Sequence, residues 1–499
     1  MNYKNISRRL VLKQLASMSA IGAMGSLRSL SLYAEERNNP EIGLIPEIKG
    51  KVIHRQDEDY EFWRQHMIWH LSKPDRYPDI IVRAKSEQDV INAIKYAAKN
   101  KLKVTTRSGG HNAPGAALRD GGVIIDVSLL NDIEIDIKNR IASIGGGVKS
   151  ASLVTAARDE GLSFPAPHCP TVGLSGFTMG GGIGWNYAHW GGMSCFSIEA
   201  ADVVTAEGKL LRTSDDENPD LIWAIRGVGP GFFGVVTRLY LNLYPVPKTI
   251  LVNNYIHPLD DLEAVTTTLD EVNKVKDDRA EVIAILLQNP EAPADAPPEQ
   301  SKICFISIFA FAGSEAEAQA MLAPFAESDL ANKSLVKIEN TEYTFEGLYG
   351  KFFNPGVPAG MQARYAVDNV ITNKPGETLL ALADHFKHAT SPHSHVLAAY
   401  AVNMKPRANS CFSSIGSDFV GCYSIWDNAE EDEQHFKWLD ETILIMDPFA
   451  SGHYINEVEA RRHPERIEKS FSKENWQRLK TVRDKYDPMG VFHKHLGYS

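Results

Sequence analysis

The sequence predicts an α+β fold in two domains, and three observations carry that expectation. Up to Pro245, short apolar strand runs alternate with amphipathic helix patterns, with glycine-dense loops between them. From Thr249 to about Asp447 the glycine loops disappear, and strands with amphipathic helices suggest an antiparallel sheet covered by helices. No unit of about 20–50 residues repeats, which excludes solenoids and propellers. The length of 499 residues agrees, since a domain takes about 150.

Taken in order, the chain opens on an address. Ser7-Arg8-Arg9-Leu10-Val11-Leu12-Lys13 matches the twin-arginine pattern, and a mildly apolar stretch from Leu15 to Leu27 follows. Ala34 closes a cleavage site that Leu32 fits poorly. Residues 1–34 are therefore expected to be a twin-arginine-type signal peptide that exports a folded protein to the periplasm or beyond. The stretch is too short and too rich in glycine and serine for a stable membrane anchor. Residues 35–50 read as a linker.

The first domain is expected over 51–245. Ile80–Arg83 reads as a strand, and Ser86 caps an amphipathic helix reaching Asn100. Lys103–Thr106 is a strand that delivers the loop Arg107-Ser108-Gly109-Gly110-His111-Asn112. Val123–Val127 is a buried strand pattern, Ile133–Ile144 an alternating one, and Ser150–Glu160 a helix. The second domain, 246–447, has strand patterns at Ile283–Gln288, Ile303–Phe311 and Val396–Asn403, and helices at Glu315–Phe325 and Thr378–Phe386. Residues 448–499 form a C-terminal segment.

Composition excludes more than it selects. A net charge of −11 leaves no basic face for a nucleic-acid backbone. None of the five cysteines stands in a C-x-x-C pair, so a zinc ribbon or dithiol redox site is not expected. A Cys411–Cys422 disulfide outside the cytoplasm and free buried thiols both remain open. His385, His388, His393 and His395 cluster in sequence, but Pro392 breaks any shared helix, and no metal site is assigned. Oligomeric state is not readable.

The chemistry concentrates between Pro165 and Trp190, PAPHCPTVGLSGFTMGGGIGWNYAHW. Cys169 is followed by Val172, Gly173, Gly176, Gly180, Gly181, Gly182 and Gly184. Such loops let a flat ligand or a phosphate reach the main chain and aim several N–H groups at one point. His111 ends one glycine loop and Cys169 begins another, which suggests one cofactor held at two points.

RSGGHNAPGAALRDGGVIIDVS followed by HCPTVGLSGFTMGGGIGW resembles the berberine-bridge-enzyme branch of the vanillyl-alcohol-oxidase flavoproteins. Asp220–Gly227 with the following Gly229–Thr237 run, His453-Tyr454-Ile455-Asn456, and Asn475–Leu479 with Lys485–Pro488 extend the resemblance. It implies a two-domain flavoprotein with a discontinuous FAD-binding domain, to which the C-terminal segment returns. FAD would be bicovalent, through His111 and Cys169, with Arg107, Ser108, Gly109, Gly110, Asn112, the residues of the second loop, Val235, Val236 and Asn456 around it. Tyr454 would take the substrate proton. Val172 matches the position that governs oxygen access, which implies molecular oxygen as acceptor and hydrogen peroxide as product.

The implied reaction moves a hydride to flavin from a C–H beside a hydroxyl or amine of a small molecule. Tyr187, Trp190, Tyr365 and Tyr400 are the candidates for an aromatic substrate pocket. Two positions depart from the family: Phe177 stands where relatives carry histidine, and Glu457 where many carry an aromatic residue. Glu457 is read as a surface carboxylate, with a substitute base as the other reading. The departures keep two alternatives open, a dehydrogenase serving a periplasmic carrier and a secreted flavin-binding protein without catalysis.

Overall fold

The computed structural model describes residues 45, 47–289, 291–293, 295–297, 300–352, 363–400, 407–414 and 416–498. The expected signal peptide, most of the linker and the end of the Val396–Asn403 strand pattern lie outside the described residues. The first half contains β1 (Lys51–His54), β2 (Ile80–Arg83), β3 (Val104–Arg107), β4 (Val123–Asp126), β5 (Ile133–Asp136), β6 (Ile141–Gly145), β7 (Leu162–Ser163), β8 (Ile198–Val204), β9 (Leu210–Ser214), β10 (Val235–Asn242) and β11 (Tyr244–Pro245). They form a four-stranded sheet of order β1-β2-β4-β3, a five-stranded sheet β5-β6-β10-β8-β9, and the short pair β11-β7.

Local chemistry explains these elements. Helix Glu87–Lys99 starts where the Ser86 hydroxyl accepts from Asp89 N–H, and its buried Val90, Ala93, Ile94 and Ala97 form one stripe. It connects β2 to β3, both parallel to β4, as a helical crossover should. The expected single alternating run Ile133–Ile144 is a hairpin, because Arg140 takes a left-handed turn with φ 55° between β5 and β6.

The second half contains β12 (Thr249–Pro258), β13 (Ala280–Gln288), β14 (Lys302–Ala312), β15 (Val336–Tyr343), β16 (Arg364–Thr372), β17 (His395–Tyr400) and β18 (Asp418–Trp426). They make one seven-stranded sheet, β15-β12-β14-β13-β17-β18-β16, antiparallel throughout. Alternation along β13 shows how the sheet is placed. Val282, Ala284 and Leu286 join the core under helices Leu262–Val275, Glu315–Ala326, Pro375–Lys387 and Asp432–Met446. Ile283 and Ile285 face the other way, into the core shared with the first half.

The C-terminal segment packs back on the first half. Val104 N–H donates to Val491 O at 2.8 Å, Lys485 pairs with Asp220 at 2.7 Å, and the Arg478 guanidinium lies 4.0 Å over Trp223.

Two open readings close here. Cys411 lies in the shared core and Cys422 on the helix side of the sheet, so no disulfide joins them, and all five thiols are free. The four histidines do not gather. His385 stacks on Trp438 (5.4 Å, 9°) and reaches Thr442 Oγ1 at 3.0 Å, whereas His395 stacks on Tyr423 (4.8 Å, 16°). Among the described residues no helix is long and apolar enough to cross a membrane.

Candidate active site

The two glycine loops lie back to back. A Cβ on Gly109 would come within 2.4 Å of Gly173 N, and one on Gly173 within 2.6 Å of Gly109 N and of Ser108 Oγ. No side chain fits at either position. Ser108 Oγ donates to Gly146 O at 2.7 Å. Arg107 pairs with Asp126 at 3.2 Å and donates to Gly109 O at 3.2 Å, which pins the first loop to β4. Gly110 completes the turn at φ 73°.

This packing joins His111 and Cys169 through a residue that sequence reasoning passed over. Thr171 Oγ1 lies 3.0 Å from His111 Nε2 and 3.3 Å from Cys169 Sγ. Trp69, also missed, stacks on the His111 ring (4.7 Å, 10°) and donates from Nε1 to His111 O at 2.8 Å. Burial, helped by the charges of Arg107 and Lys149, pushes the imidazole down to about 3. It is neutral at pH 7 and keeps a nucleophilic ring nitrogen. Burial pushes the Cys169 thiol up, against the Thr171 hydroxyl.

The backbone supplies a matching set of donors. Among the described residues the N–H groups of Gly109, Gly110, His111 and Asn112 meet no acceptor, nor do those of Ser175 and Gly176 in the first turn of helix Leu174–Met179. A Cβ on Gly176 would meet nothing within 4 Å. Clustered N–H groups on side-chain-free backbone suit a pyrophosphate. His111 Nε2 and Cys169 Sγ, at one hydroxyl, suit a ring attached at two neighbouring points. The residues present therefore fit FAD.

The C-terminal segment closes the site from the other side. Asn456 Nδ2 donates to Tyr454 OH at 2.9 Å and to Phe177 O at 2.9 Å. A Cβ on Gly180 would sit 1.9 Å from Asn456 Oδ1, so glycine is required for this contact. Asn112 Nδ2 reaches Asn456 O at 3.4 Å. Burial and then Glu457 raise the Tyr454 phenol above its ordinary value, while Asn456 and the N–H groups of Ile183 and Gly182 work against that rise. Gly181 (φ 114°) and Gly182 (φ 86°) give this stretch its course, and Gly184 packs on Pro165 O.

The remaining sequence candidates separate. Tyr365 stands in the site: its ring lies 5.3 Å from Trp69 and 6.2 Å from Tyr423. Trp190 is core instead, stacked on Tyr244 (5.4 Å) and Phe345 (5.9 Å). Tyr400 lies apart from Tyr365 and lines a small cavity with Tyr187. It belongs to the helix-side core, because on β17 the side chains of His395, Leu397 and Ala399 take the other face. Tyr187 is buried beside a small cavity with His168, Lys276 and Glu281. Val235 and Val236 are core residues of β10. Val172 stands three residues after Cys169 on the second loop, and its carbonyl accepts from Ser150 N–H at 2.9 Å.

Glu457 is the largest correction. It is not a surface carboxylate; it accepts from Tyr423 OH at 2.7 Å, and burial pushes it up to about 7.

Fold and site together fit an FAD-linked oxidoreductase. Residues 78–214 match the FAD binding domain family. (R)-6-hydroxynicotine oxidase of Paenarthrobacter nicotinovorans is 38% identical over 236 residues, which are 46% of this chain and 50% of that protein. The FAD-linked oxidoreductase YgaK of Bacillus subtilis (strain 168) is 28% identical over 461 residues, covering 89% of this chain and 96% of its own. The crystal structure of 6-hydroxy-D-nicotine oxidase from Arthrobacter nicotinovorans superposes with a TM-score of 0.78 over 91% of this chain and 98% of that one, at 24% identity. A berberine bridge enzyme variant in complex with (S)-reticuline shares the fold at a TM-score of 0.75 and 20% identity, over 88% and 94% of the two chains.

Proposed function

We propose that this protein oxidises a C–H bond beside a hydroxyl or amine of a small organic molecule, with bicovalent FAD held by His111 and Cys169 and with molecular oxygen as acceptor. One observation carries the reading. The Tyr454 phenol oxygen accepts from Asn456 Nδ2 at 2.9 Å, and Asn456 O in turn accepts at 3.4 Å from Asn112 Nδ2, next in the chain to His111, which meets Cys169 at Thr171 Oγ1. A proton-handling group thus stands beside the point where the cofactor would be fixed. Bound FAD supplies the hydride acceptor.

The protein does the rest. The two loops orient the cofactor, Trp69 and Tyr365 wall the cleft, and Tyr454 takes the proton from the substrate hydroxyl or amine at its phenol oxygen. The 6-hydroxynicotine oxidase similarity makes amines worth testing alongside alcohols, although fold alone selects neither. Val172 supports oxygen as acceptor, with hydrogen peroxide as product.

Covalent attachment has a direct test. After acid precipitation of the purified protein, yellow colour is expected to stay with the pellet. It should persist in part in each of His111→Ala and Cys169→Ala and vanish in the double variant. Free FAD in the supernatant of the wild type would overturn the bicovalent reading. Export rests on the twin-arginine pattern alone. Replacing Arg8 and Arg9 by lysine should shift the protein from periplasmic to cytoplasmic fractions, and an unchanged distribution would remove that part.

A further inference from the structure

Among the described residues, four of the eight buried carboxylates are neutralised by guanidinium groups, while others such as Asp89 and Glu281 accept from backbone N–H groups. Asp126 has Arg83 and Arg107, Asp368 has Arg466, Glu459 has Arg461, and Asp487 has Arg483. Glu457 is different. Its Oε2 accepts from the Tyr423 hydroxyl at 2.7 Å, and among the described residues its Oε1 accepts no hydrogen bond and neither oxygen forms an ion pair. A carboxylate removed from water and left without a cation is costly. The residue is half-buried, and its carboxylate acts on the phenols of both Tyr365 and Tyr454.

The groups around it are aromatic and uncharged. Tyr423 and His395 are direct neighbours across β17 and β18, and their rings stack at 4.8 Å. Burial holds His395 down at about 4, so it brings no charge at neutral pH. Tyr365 lies 6.2 Å from Tyr423 and 5.3 Å from Trp69, which extends the wall to the stacked His111. Tyr454 is a neutral phenol on the same segment as Glu457. The carboxylate of Asp368 also pushes the Glu457 carboxyl up. Ring faces around one anionic oxygen are the recognition chemistry of an organic ammonium ion.

We infer that the cleft selects a substrate carrying a cationic amine, with Glu457 as its charge partner and the rings of Tyr365 and Tyr423 as its walls. The inference rests on the reading of this cleft as the substrate site and names the class of molecule it takes. A cation there completes a charge-assisted contact with Oε1. A neutral polyol leaves the carboxylate unpaired, and an anion is repelled.

Isothermal titration of the purified holoenzyme with non-reacting probes tests this. Benzyltrimethylammonium has a fixed charge, and benzyl alcohol presents a similar ring without one. The cation is expected to bind about tenfold tighter or more, as a desolvated cation–π and carboxylate site should allow. Glu457→Gln should bring the two within about twofold, and Tyr423→Phe, which keeps the ring, should retain the preference. Equal binding in the wild type overturns the inference whether or not the variants fold, and so does a preference that survives in a folded Glu457→Gln. Because no turnover is read, a colourless acid pellet or a missing peroxide signal counts against the proposed reaction, not against the amine.

Discussion

Replacing Tyr454 by phenylalanine is expected to slow anaerobic reduction of the flavin by about 10²–10⁴-fold, the usual weight of a positioned proton acceptor, while FAD stays bound. The geometry gives the reason. Asn456 Nδ2 donates to the phenol oxygen at 2.9 Å, and the N–H groups of Ile183 and Gly182 act on the same atom. Donors fill the oxygen's acceptor side, so its own hydrogen is free to point at substrate. Burial and the Glu457 carboxylate hold the phenol protonated, and the three donors reduce the cost of the phenolate when the proton must be taken. A cationic substrate near Glu457 would remove the opposing charge as well. Phenylalanine keeps the ring and removes one of the two acceptors of Asn456 Nδ2, the other being Phe177 O, a loss of about 0.5–1.5 kcal/mol in stability. Stopped-flow bleaching with a working substrate reads the rate. An unchanged rate in a folded, flavin-loaded variant would remove Tyr454 as the proton acceptor.

What could be read from the sequence follows the range of the interactions. The glycine loops, the Ser86 cap and the alternating runs are local signals, and the structure contains the elements they announce with shifts of a residue or a few at most ends. The helix Leu174–Met179 is an exception, hidden inside a run read as loop because glycines at both ends dominated its six residues. Pairings between distant segments carried no such signal. Trp69 reaches His111 only because the chain turns back after helix Tyr60–His66. Tyr400 and Tyr365 look alike in sequence, yet strand register sends one to the helices and the other to the cleft. Thr171 was in view inside the C-P-T-V-G run, and the signal for it was that a hydroxyl between two attachment residues can touch both. Glu457 was marked as a departure but placed outside, since its burial depends on Tyr423, Tyr365 and His395, which come from three strands of another domain.

The same dependence on distant strands makes Arg466 the most sensitive structural position near the site. Arg466→Met is expected to destabilise the protein by about 3–5 kcal/mol, because it leaves a buried carboxylate without its cation. Arg466 is 1% exposed and Asp368 0%, with Nη2 at 2.6 Å from Asp368 Oδ1. Nη2 also donates to Asn369 O at 3.0 Å, and Nη1 holds Asp447 at 2.6 Å. Through these contacts the guanidinium fixes β16 where it meets the Tyr454–Glu459 segment. Asn369 Oδ1 accepts from Tyr454 N–H at 2.7 Å, Asn369 Nδ2 donates to Tyr454 O at 3.0 Å and to Glu457 O at 3.1 Å, and Asp368 Oδ2 accepts from Glu459 N–H at 2.8 Å. Four hydrogen bonds thus set the backbone from Tyr454 to Glu459 from the side chains of two residues that Arg466 contacts, Asp368 at its carboxylate and Asn369 at its backbone carbonyl. Urea unfolding followed by tryptophan fluorescence measures the loss. Arg466→Lys should recover only part of it, since an ammonium cannot present two forked donors to Asp368 and Asp447 together. A folded Arg466→Met protein of wild-type stability would mean that Asp368 is neutral in the native state, and that the Tyr454–Glu459 segment is held by Asn369 alone.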